Sequence, residues 1–242
     1  MQYGDFAYVY DRLIAKDIDY GRWCDHIENL FTLYDREPHR ICELACGTGN
    51  MTEKLTKRGY DVTGVDISPD MLAVAAEKLP DTRLICSDIS RSVPQERFDA
   101  ALCMIDGFNY IIVPEALLKA FKNIKASLAD HGIFIFDIST EHKLSHIIGN
   151  ETFIHSEYDI FYSWQNEYHK RYNISEMLLN FFVRDGDKYL RFEETHLQRG
   201  WTVPQIKTLL LRAGFRSVDT YDELSESKPR PESERIVFVC AV

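Results

Sequence analysis

Several features are missing from this sequence of 242 residues, and each absence excludes a class of protein. No apolar run approaches the roughly 20 residues that a membrane-spanning helix needs. The first residues are not a basic segment followed by an apolar one, as they are in a secretory signal. We therefore predict a cytoplasmic protein without a membrane partner.

Closely spaced metal ligands and paired cysteines are also missing. The six cysteines include no CxxC pair, and most lie in apolar stretches, which is typical of reduced, buried cysteines in a cytosolic protein. Five histidines of the second half are scattered without tight ligand spacing, and these are His142, His146, His155, His169 and His196. We therefore predict no metal site.

Positive charge is in deficit, since the formal net charge is −10. This balance argues against strong binding to the phosphate backbones of nucleic acids, which needs a basic face. A local basic patch stays possible from Lys170 onward, although such charges usually face water. Its members would be Lys170, Arg171, Arg184, Lys188, Arg191 and Arg199.

What the sequence does contain is an alternation of short apolar runs with longer amphipathic stretches. Residues 1–37 have helical spacing of apolar side chains, and Pro38 ends that pattern. Strands are predicted at 40–45, 61–66, 83–86, 98–104, 133–138, 215–221 and 235–241. Helices are predicted at 51–58, 114–129 and 202–213, and after Ser68-Pro69. This order predicts an α/β fold with a mainly parallel seven-stranded sheet that is covered on both faces.

The pattern changes after Thr140, where aromatic residues alternate with a period of two. Asp185-Gly186 lies between two such runs and indicates a hairpin. We predict an antiparallel insertion, or lid, at 141–200, between the core segments 1–140 and 201–242. Strand alternation would turn half of its aromatic side chains inward, and the others would roof an active site. They are Phe153, Tyr158, Phe161, Tyr162, Trp164 and Tyr168.

The most informative stretch runs from Glu43 to Asn50, after a strand and before a helix. Its glycines let the backbone turn sharply and approach a ligand. A dinucleotide fingerprint would need a third glycine where Thr52 stands, and the GxxxxGK(S/T) pattern is absent, so pyrophosphate binding loses support. The Glu43 carboxylate disfavours a phosphate and favours a cationic or amino-bearing ligand.

Acidic residues also end the next two strands. Asp66 can accept hydrogen bonds from both hydroxyls of a ribose, and the alternative is that it caps the following helix. Asp88 can accept a hydrogen bond from an adenine amine with Ile89 against the ring, and the alternative is a loop residue.

Taken together, these residues resemble the class I S-adenosylmethionine-dependent methyltransferases. The resemblance rests on the loop from Glu43 to Gly49, on Asp66, on Asp88-Ile89 and on Phe98-Asp99-Ala100, and it continues through the lid to Ala213-Gly214-Phe215. It implies a Rossmann-like, doubly wound sheet and an enzyme that uses S-adenosylmethionine and releases S-adenosylhomocysteine. The cofactor residues that it implies are Tyr10, Glu43, Ala45, Gly47, Gly49, Asp66, Ile67, Met71, Asp88, Ile89 and Met104.

The acceptor is expected to approach the loop after the fourth strand. There Asp106 would stabilise the sulfonium or take a proton, while Asn109 and Tyr110 would orient the acceptor. For Asn109 and Tyr110, turn formation and core packing are the alternative. His196 is a weaker candidate for a base near the cleft.

No Pro-Pro pair follows the fourth strand, and Cys103 lies inside it, which lowers the expectation of a nucleobase as acceptor. We expect a small-molecule acceptor, with an RNA-modifying enzyme as the alternative. A non-catalytic S-adenosylmethionine-binding protein and a nicotinamide-dependent oxidoreductase also stay open.

Overall fold

Seventeen helices and strands are present in the computed structural model, which describes residues 4–13, 17–157 and 159–242. In chain order they are α1 (Gly4–Leu13), α2 (Tyr20–Leu33), β1 (Arg40–Leu44), α3 (Asn50–Lys57), β2 (Asp61–Asp66), α4 (Pro69–Lys78), β3 (Arg83–Cys86), β4 (Phe98–Cys103), α5 (Pro114–Ser127), β5 (Leu128–Ser139), β6 (Thr152–Glu157), β7 (Ile160–His169), β8 (Ile174–Asp185), β9 (Lys188–Arg199), α6 (Val203–Ala213), β10 (Ser217–Asp222) and β11 (Arg235–Ala241). A short 3-10 helix covers Gly107–Tyr110, and a π-helical turn covers Lys143–Ile147.

The central sheet has seven strands in the order β10-β11-β5-β4-β1-β2-β3. Strands β1 to β5 run parallel, and β11 is antiparallel to both of its neighbours. The predicted mainly parallel seven-stranded sheet is therefore confirmed. The strand order reverses between β1 and β4, and open α/β sheets bind ligands beside the carboxyl ends of such strands.

Apolar layers cover both faces of this sheet. On one face, α5 and α6 pack against alternate side chains of β1, β4, β5 and β11. On the other face, α2 and α3 pack against the remaining side chains of the same strands. Strands that are buried on both faces need near-continuous apolar sequences, which is why the apolar runs of the sequence predicted these strands.

Helix boundaries mostly follow local capping chemistry. Ser68 caps α4, because its side chain accepts a hydrogen bond from the backbone of Met71, and Thr202 forms a capping box with Gln205 at the start of α6. The helix predicted to end at residue 129 instead ends at Ser127. Leu128 already belongs to β5, since it pairs with β4 and is buried there. The pairing in the sheet therefore overrides the helical pattern of the sequence.

A second, four-stranded antiparallel sheet has the order β6-β7-β8-β9 and lies within the predicted insertion. Residues 192, 194, 196 and 198 of β9 are half-buried or buried, whereas residues 189, 191, 193, 195 and 197 are exposed. Leu190, which the alternation places with Phe192, is exposed as well, because it lies next to the hairpin turn. The inward side packs against Val9 and Leu13 of α1. Of the aromatic residues predicted to divide between two faces, Phe161 is exposed and Tyr158 lies outside the described residues. The others pack in or against this cluster.

Cysteine packing follows the sequence pattern. All six cysteines are free thiols, and five of them are buried, whereas Cys86 is exposed. Within the part of the chain that the structure describes, no helix is long and apolar enough to cross a membrane.

Candidate active site

The loops after β1 and β4 meet at the carboxyl edge of the sheet in an unusual backbone conformation. Ala45, Ile105 and Asp106 have φ angles of 52°, 60° and 53°, although none of them is glycine. Such backbone strain clusters at functional sites. Gly107 lets the two loops touch, because a Cβ atom there would stand 2.8 Å from the Cys103 sulfur and 2.9 Å from the Cβ of Ala45.

A cavity opens between these two loops and the N-terminal helices. Five residues predicted to hold the cofactor line it, namely Tyr10, Glu43, Ala45, Gly47 and Met104. Six further residues complete the lining, and these are Tyr20, Cys46, Thr48, Asn50, Met51 and Ile105. Those in the glycine loop and after β4 are chain neighbours of predicted residues. The cavity position of Tyr20 depends on how α2 lies against the sheet, which no local motif encodes.

Glu43 carries a buried carboxyl group at the base of the cavity. It is 4% exposed, and its side chain accepts a hydrogen bond from the Thr52 hydroxyl. Its pKa is raised to about 8, mainly by burial; the hydrogen bond from Thr52 opposes this shift, and the nearby Asp66 adds to it. An incoming ammonium group would supply the compensating charge that this carboxyl lacks.

Asp66 connects the glycine loop to the start of α4. One carboxylate oxygen accepts a hydrogen bond from the backbone of Gly47 at 2.8 Å, and the other accepts one from the backbone of Ser68 at 2.8 Å. Burial raises the pKa of Asp66, whereas these backbone donors lower it. The N-cap of α4 is Ser68, so Asp66 does not cap this helix. Each carboxylate oxygen keeps a lone pair for a further donor.

The predicted adenine residues lie outside the lining of that cavity, at the ends of β2 and β3. Asp66 and Cys86 are paired across these strands, so the residues that follow them are neighbours in space. Ile67 is 67% exposed, and its side chain is free to cover a flat ligand. The Asp88 carboxylate accepts hydrogen bonds from the backbone and hydroxyl of Ser90.

Three other predicted cofactor residues lie outside the lining of the cavity. Met71 is half-buried in the first turn of α4, and Ile89 packs against the apolar core. Gly49 has a φ of 78° and packs against Ala75 and Leu79, so it shapes the loop without lining the cavity.

Asp106 belongs to a buried ionic cluster at the end of β4. It forms an ion pair with Arg235 at 2.7 Å and accepts a hydrogen bond from the Gln198 amide at 2.8 Å. Burial alone would raise the pKa of Asp106, but Arg235 lowers it below its ordinary value. Asp137 also pairs with Arg235 and accepts hydrogen bonds from the backbone of Ile105 and of Asp106. The cluster therefore fixes both the charge and the orientation of Asp106.

Sequence reasoning missed Arg235, Asp137 and Gln198, which hold Asp106. They come from β11, β5 and β9, at sequence separations that no local pattern connects. The signal available was a charged residue inside each of two apolar strands, Asp137 and Arg235, because a charge buried in a strand needs a partner.

Asn109 and Tyr110 have different surroundings. Asn109 is fully buried, and its amide donates to the carbonyls of Ser139 and Arg199 and accepts from the backbone of Ser139. Its side chain therefore ties the turn to β5 and β9, which is the role in turn formation that was given as the alternative. Tyr110 is 49% exposed, and its ring meets that of His196 edge to face.

His196 lies on the inward side of the lid between two rings. Its ring centroid is 5.3 Å from that of Phe6 and 5.8 Å from that of Tyr110. Its Nε2 is buried without a hydrogen-bond partner, and burial lowers its pKa below 6.5. The imidazole is therefore neutral at neutral pH and has a nitrogen to offer a bound molecule.

The first helix is fastened across the cavity. Asp11 accepts hydrogen bonds from Thr48 at 2.7 Å, from Asn50 at 2.9 Å and from Lys78 at 2.8 Å. The preceding residue, Tyr10, thereby lines the cavity. Burial raises the pKa of its hydroxyl, and so do the neighbouring Tyr20, Tyr110 and Asp106.

A seven-stranded sheet of this order, with a glycine loop after β1 and buried carboxyl groups at the ends of β1 and β2, defines a class I S-adenosylmethionine-dependent methyltransferase. Comparison with known proteins agrees, since residues 41–132 match the model of a methyltransferase domain. The chain is 32% identical to the putative methyltransferase YqeM of Bacillus subtilis over 98% of this chain and 96% of that protein. It belongs to this methyltransferase family, and its cofactor is S-adenosylmethionine.

Two further comparisons bear on the fold and on the acceptor. A solved S-adenosylmethionine-dependent methyltransferase from Clostridium acetobutylicum superposes with a TM-score of 0.89 at 36% identity, covering 99% of this chain and 98% of that one. A dTDP-3-amino-3,4,6-trideoxy-α-D-glucopyranose N,N-dimethyltransferase from Streptomyces venezuelae is 29% identical over 55% of this chain and 56% of that protein.

Proposed function

We propose that this methyltransferase transfers the methyl group to an amino nitrogen of a small molecule that binds between the lid and the cofactor loops. The observation that carries the proposal is the group of oxygen atoms around the cavity. Tyr10 and Tyr20 line this cavity, and the ring of Tyr110 packs against His196 of the lid. Tyr20, Tyr110 and Asp106 all raise the pKa of the Tyr10 hydroxyl.

The electrostatics of this group favour an amine. When it is bound, S-adenosylmethionine supplies a methyl group on a positively charged sulfur. A neutral amine that took up this methyl group would acquire the positive charge, and S-adenosylhomocysteine would leave. Hydroxyl oxygens and the ionised Asp106 stabilise positive charge at both ends of this path. A hydroxyl acceptor would instead need a base to remove its proton as it attacks.

The cofactor residues follow from the same site. Glu43 holds the amino group of the methionine part, and Asp66 binds the ribose hydroxyls. Ile67, Met71, Asp88 and Ile89 surround the adenine. Met104 and Asp106 face the sulfonium, and Tyr10 closes the site from α1. Tyr110 orients the acceptor, whereas Asn109 holds the turn that carries it.

Two observations favour a small acceptor over RNA. The lid packs on α1 through an apolar cluster and so covers the site. The net charge of −10 also opposes binding of a polyanion. The relative from Streptomyces venezuelae is named for an amino sugar, which is a small molecule with the acceptor atom proposed here.

Matched acceptors test the proposal. The purified protein is incubated with S-adenosylmethionine and with pairs of sugar nucleotides that differ only in an amino or a hydroxyl group at one carbon, and with tRNA in a separate reaction. S-adenosylhomocysteine release and product mass are measured. We expect turnover with amino members alone. Methylation of the hydroxyl members or of tRNA would contradict the proposal.

A further inference from the structure

A second cavity lies apart from the cofactor site and shares no lining residue with the first. Its volume is about 310 Å³, and its walls are the segment 140–146, the start of α6 and the loop that precedes β11. This volume is at the lower end of the range for small-molecule pockets. Nothing in the methyl-transfer site uses it.

Three cationic or proton-donating side chains converge on this cavity. The rings of His142 and His146 are stacked, with centroids 5.2 Å apart. The Ser145 hydroxyl donates to the Glu141 carbonyl and therefore accepts from Nδ1 of His146, whereas the ring of His142 has an N–H to offer a ligand. The guanidinium of Arg230 stands at the rim, 77% exposed, with only a long contact of 3.5 Å to Asp222. In a chain with a net charge of −10, this concentration of donors is unusual and suits an oxyanion.

A buried donor in the wall has no partner. Trp201 is 2% exposed, and its indole N–H has no hydrogen-bond partner among the residues that the structure describes. An indole nitrogen only donates, and a buried donor without a partner costs about 1–3 kcal/mol. Trp201 directly precedes α6, an 11-residue helix whose positive end faces the same region. The exposed area of this nitrogen is below 1 Å², so the ring forms part of the wall and its N–H does not reach the cavity.

The other residues that line the cavity further restrict the class of ligand that fits it. Glu141 disfavours a bare anion, but its carboxylate can accept hydrogen bonds from hydroxyl groups. Pro231, Val203 and Ile236 add apolar surface. A molecule with a phosphate at one end and several hydroxyls at the other matches both halves of this lining.

We propose that this second cavity binds a phosphorylated, hydroxyl-bearing small molecule such as a sugar phosphate. The phosphate lies against His142, His146 and Arg230, and the hydroxyls lie against Glu141. The site is independent of the identity of the methyl acceptor.

Calorimetric titration with ribose 5-phosphate, inorganic phosphate and ribose tests this site. The double variant His142→Gln/His146→Gln removes the imidazoles, and His39→Gln, an exposed histidine before β1, is the matched control. We expect saturable binding of ribose 5-phosphate that is tighter than that of phosphate. The double variant should weaken this binding at least tenfold, and His39→Gln should leave it unchanged.

S-adenosylhomocysteine titration of the same samples reports separately on the cofactor site and on folding. We expect equal affinity in the wild type and in both variants. Three results would overturn the proposal: no saturable binding of ribose 5-phosphate to a protein that binds S-adenosylhomocysteine, equal affinity for phosphate and ribose 5-phosphate, or full binding by the double variant.

Discussion

At the scale of single residues, the residues of the cofactor loop could be predicted from the sequence, whereas the residues that hold Asp106 could not. Glu43 lies near the end of β1, and Gly47 lies in the loop that follows. The glycines and the acidic residue of this stretch indicate a ligand site, and both residues line the cavity. Asp66 marks the end of the next strand. By contrast, Arg235 and Gln198 reach Asp106 from strands far along the chain. Local spacing carries no information on such contacts, which only the assembled sheet creates.

Asp66→Ala should weaken cofactor binding, because the carboxylate would bind the ribose and also orders Gly47. A hydrogen bond to a charged group is worth about 1.5–3 kcal/mol, which corresponds to a loss of roughly 10- to 150-fold in affinity. Calorimetry with S-adenosylhomocysteine measures this loss. Asp61→Ala, at the exposed start of the same strand, is the control. Wild-type affinity in a folded Asp66→Ala protein would refute the assignment.

Glu43 should make the ligand-free protein less stable as the pH rises. Its pKa is about 8 in the folded protein against 4.5 for the free group, so between these values the folded state binds the extra proton. Stability therefore falls as pH rises through this window. From pH 6 to pH 8 the loss is on the order of 2 kcal/mol.

The variant Glu43→Gln cannot ionise and should lose this part of the pH dependence. Urea unfolding of both proteins at pH 6 and pH 8 provides the comparison. Glu43→Gln should also bind S-adenosylmethionine more weakly. Parallel stability changes in wild type and variant would show that Glu43 does not titrate in this range.

Arg235→Met should be strongly destabilising, because it leaves the carboxylates of Asp106 and Asp137 buried without a cation. Removing one partner of a buried ion pair typically costs about 3–5 kcal/mol. Arg97→Met, which breaks an exposed pair with Asp130, should cost less than about 1 kcal/mol. Urea unfolding of both variants and of the wild type measures these losses in the free energy of unfolding. Equal stabilities of the two variants would contradict a structural role for the cluster.

At the scale of elements, most helices and strands were predictable and their partners were not. Capping residues such as Ser68 and Thr202 mark helix starts within the local sequence. The start of β5 at Leu128 was missed because its pairing with β4 overrides the helical pattern. The packing of α1 on the lid could not be predicted either. The apolar spacing of Val9 and Leu13 indicates a helix but does not show which element this helix packs against.

Helix α1 should control how fast the cofactor leaves. Asp11 fastens this helix to the cofactor loop and to α4 through three hydrogen bonds. Asp11→Ala should therefore speed the dissociation of S-adenosylhomocysteine, by roughly tenfold if one charged hydrogen bond of about 1.5 kcal/mol is lost on the way to opening. Stopped-flow displacement measures the rate. Glu53→Ala, which breaks an exposed pair with Lys57, is the control, and equal rates in the two variants would exclude this latch.

At the scale of the whole molecule, the order of elements already specified the fold. Alternating strands and helices permit few topologies once crossovers are right-handed, and a ligand site then falls at the carboxyl edge beside the reversal of strand order. The strand order and the family relationship agree with that expectation. The acceptor could not be predicted from the sequence, because the pocket proposed for it is assembled from α1, β9 and the turn after β4, which meet only in the folded chain.

The most direct test of cofactor binding is calorimetric titration with S-adenosylmethionine and, separately, with S-adenosylhomocysteine, since both ligands would occupy the cavity that Glu43 lines. We expect each ligand to bind at one site per chain with micromolar affinity, which is a binding free energy of about −8 kcal/mol. A folded protein that binds neither ligand would contradict this expectation.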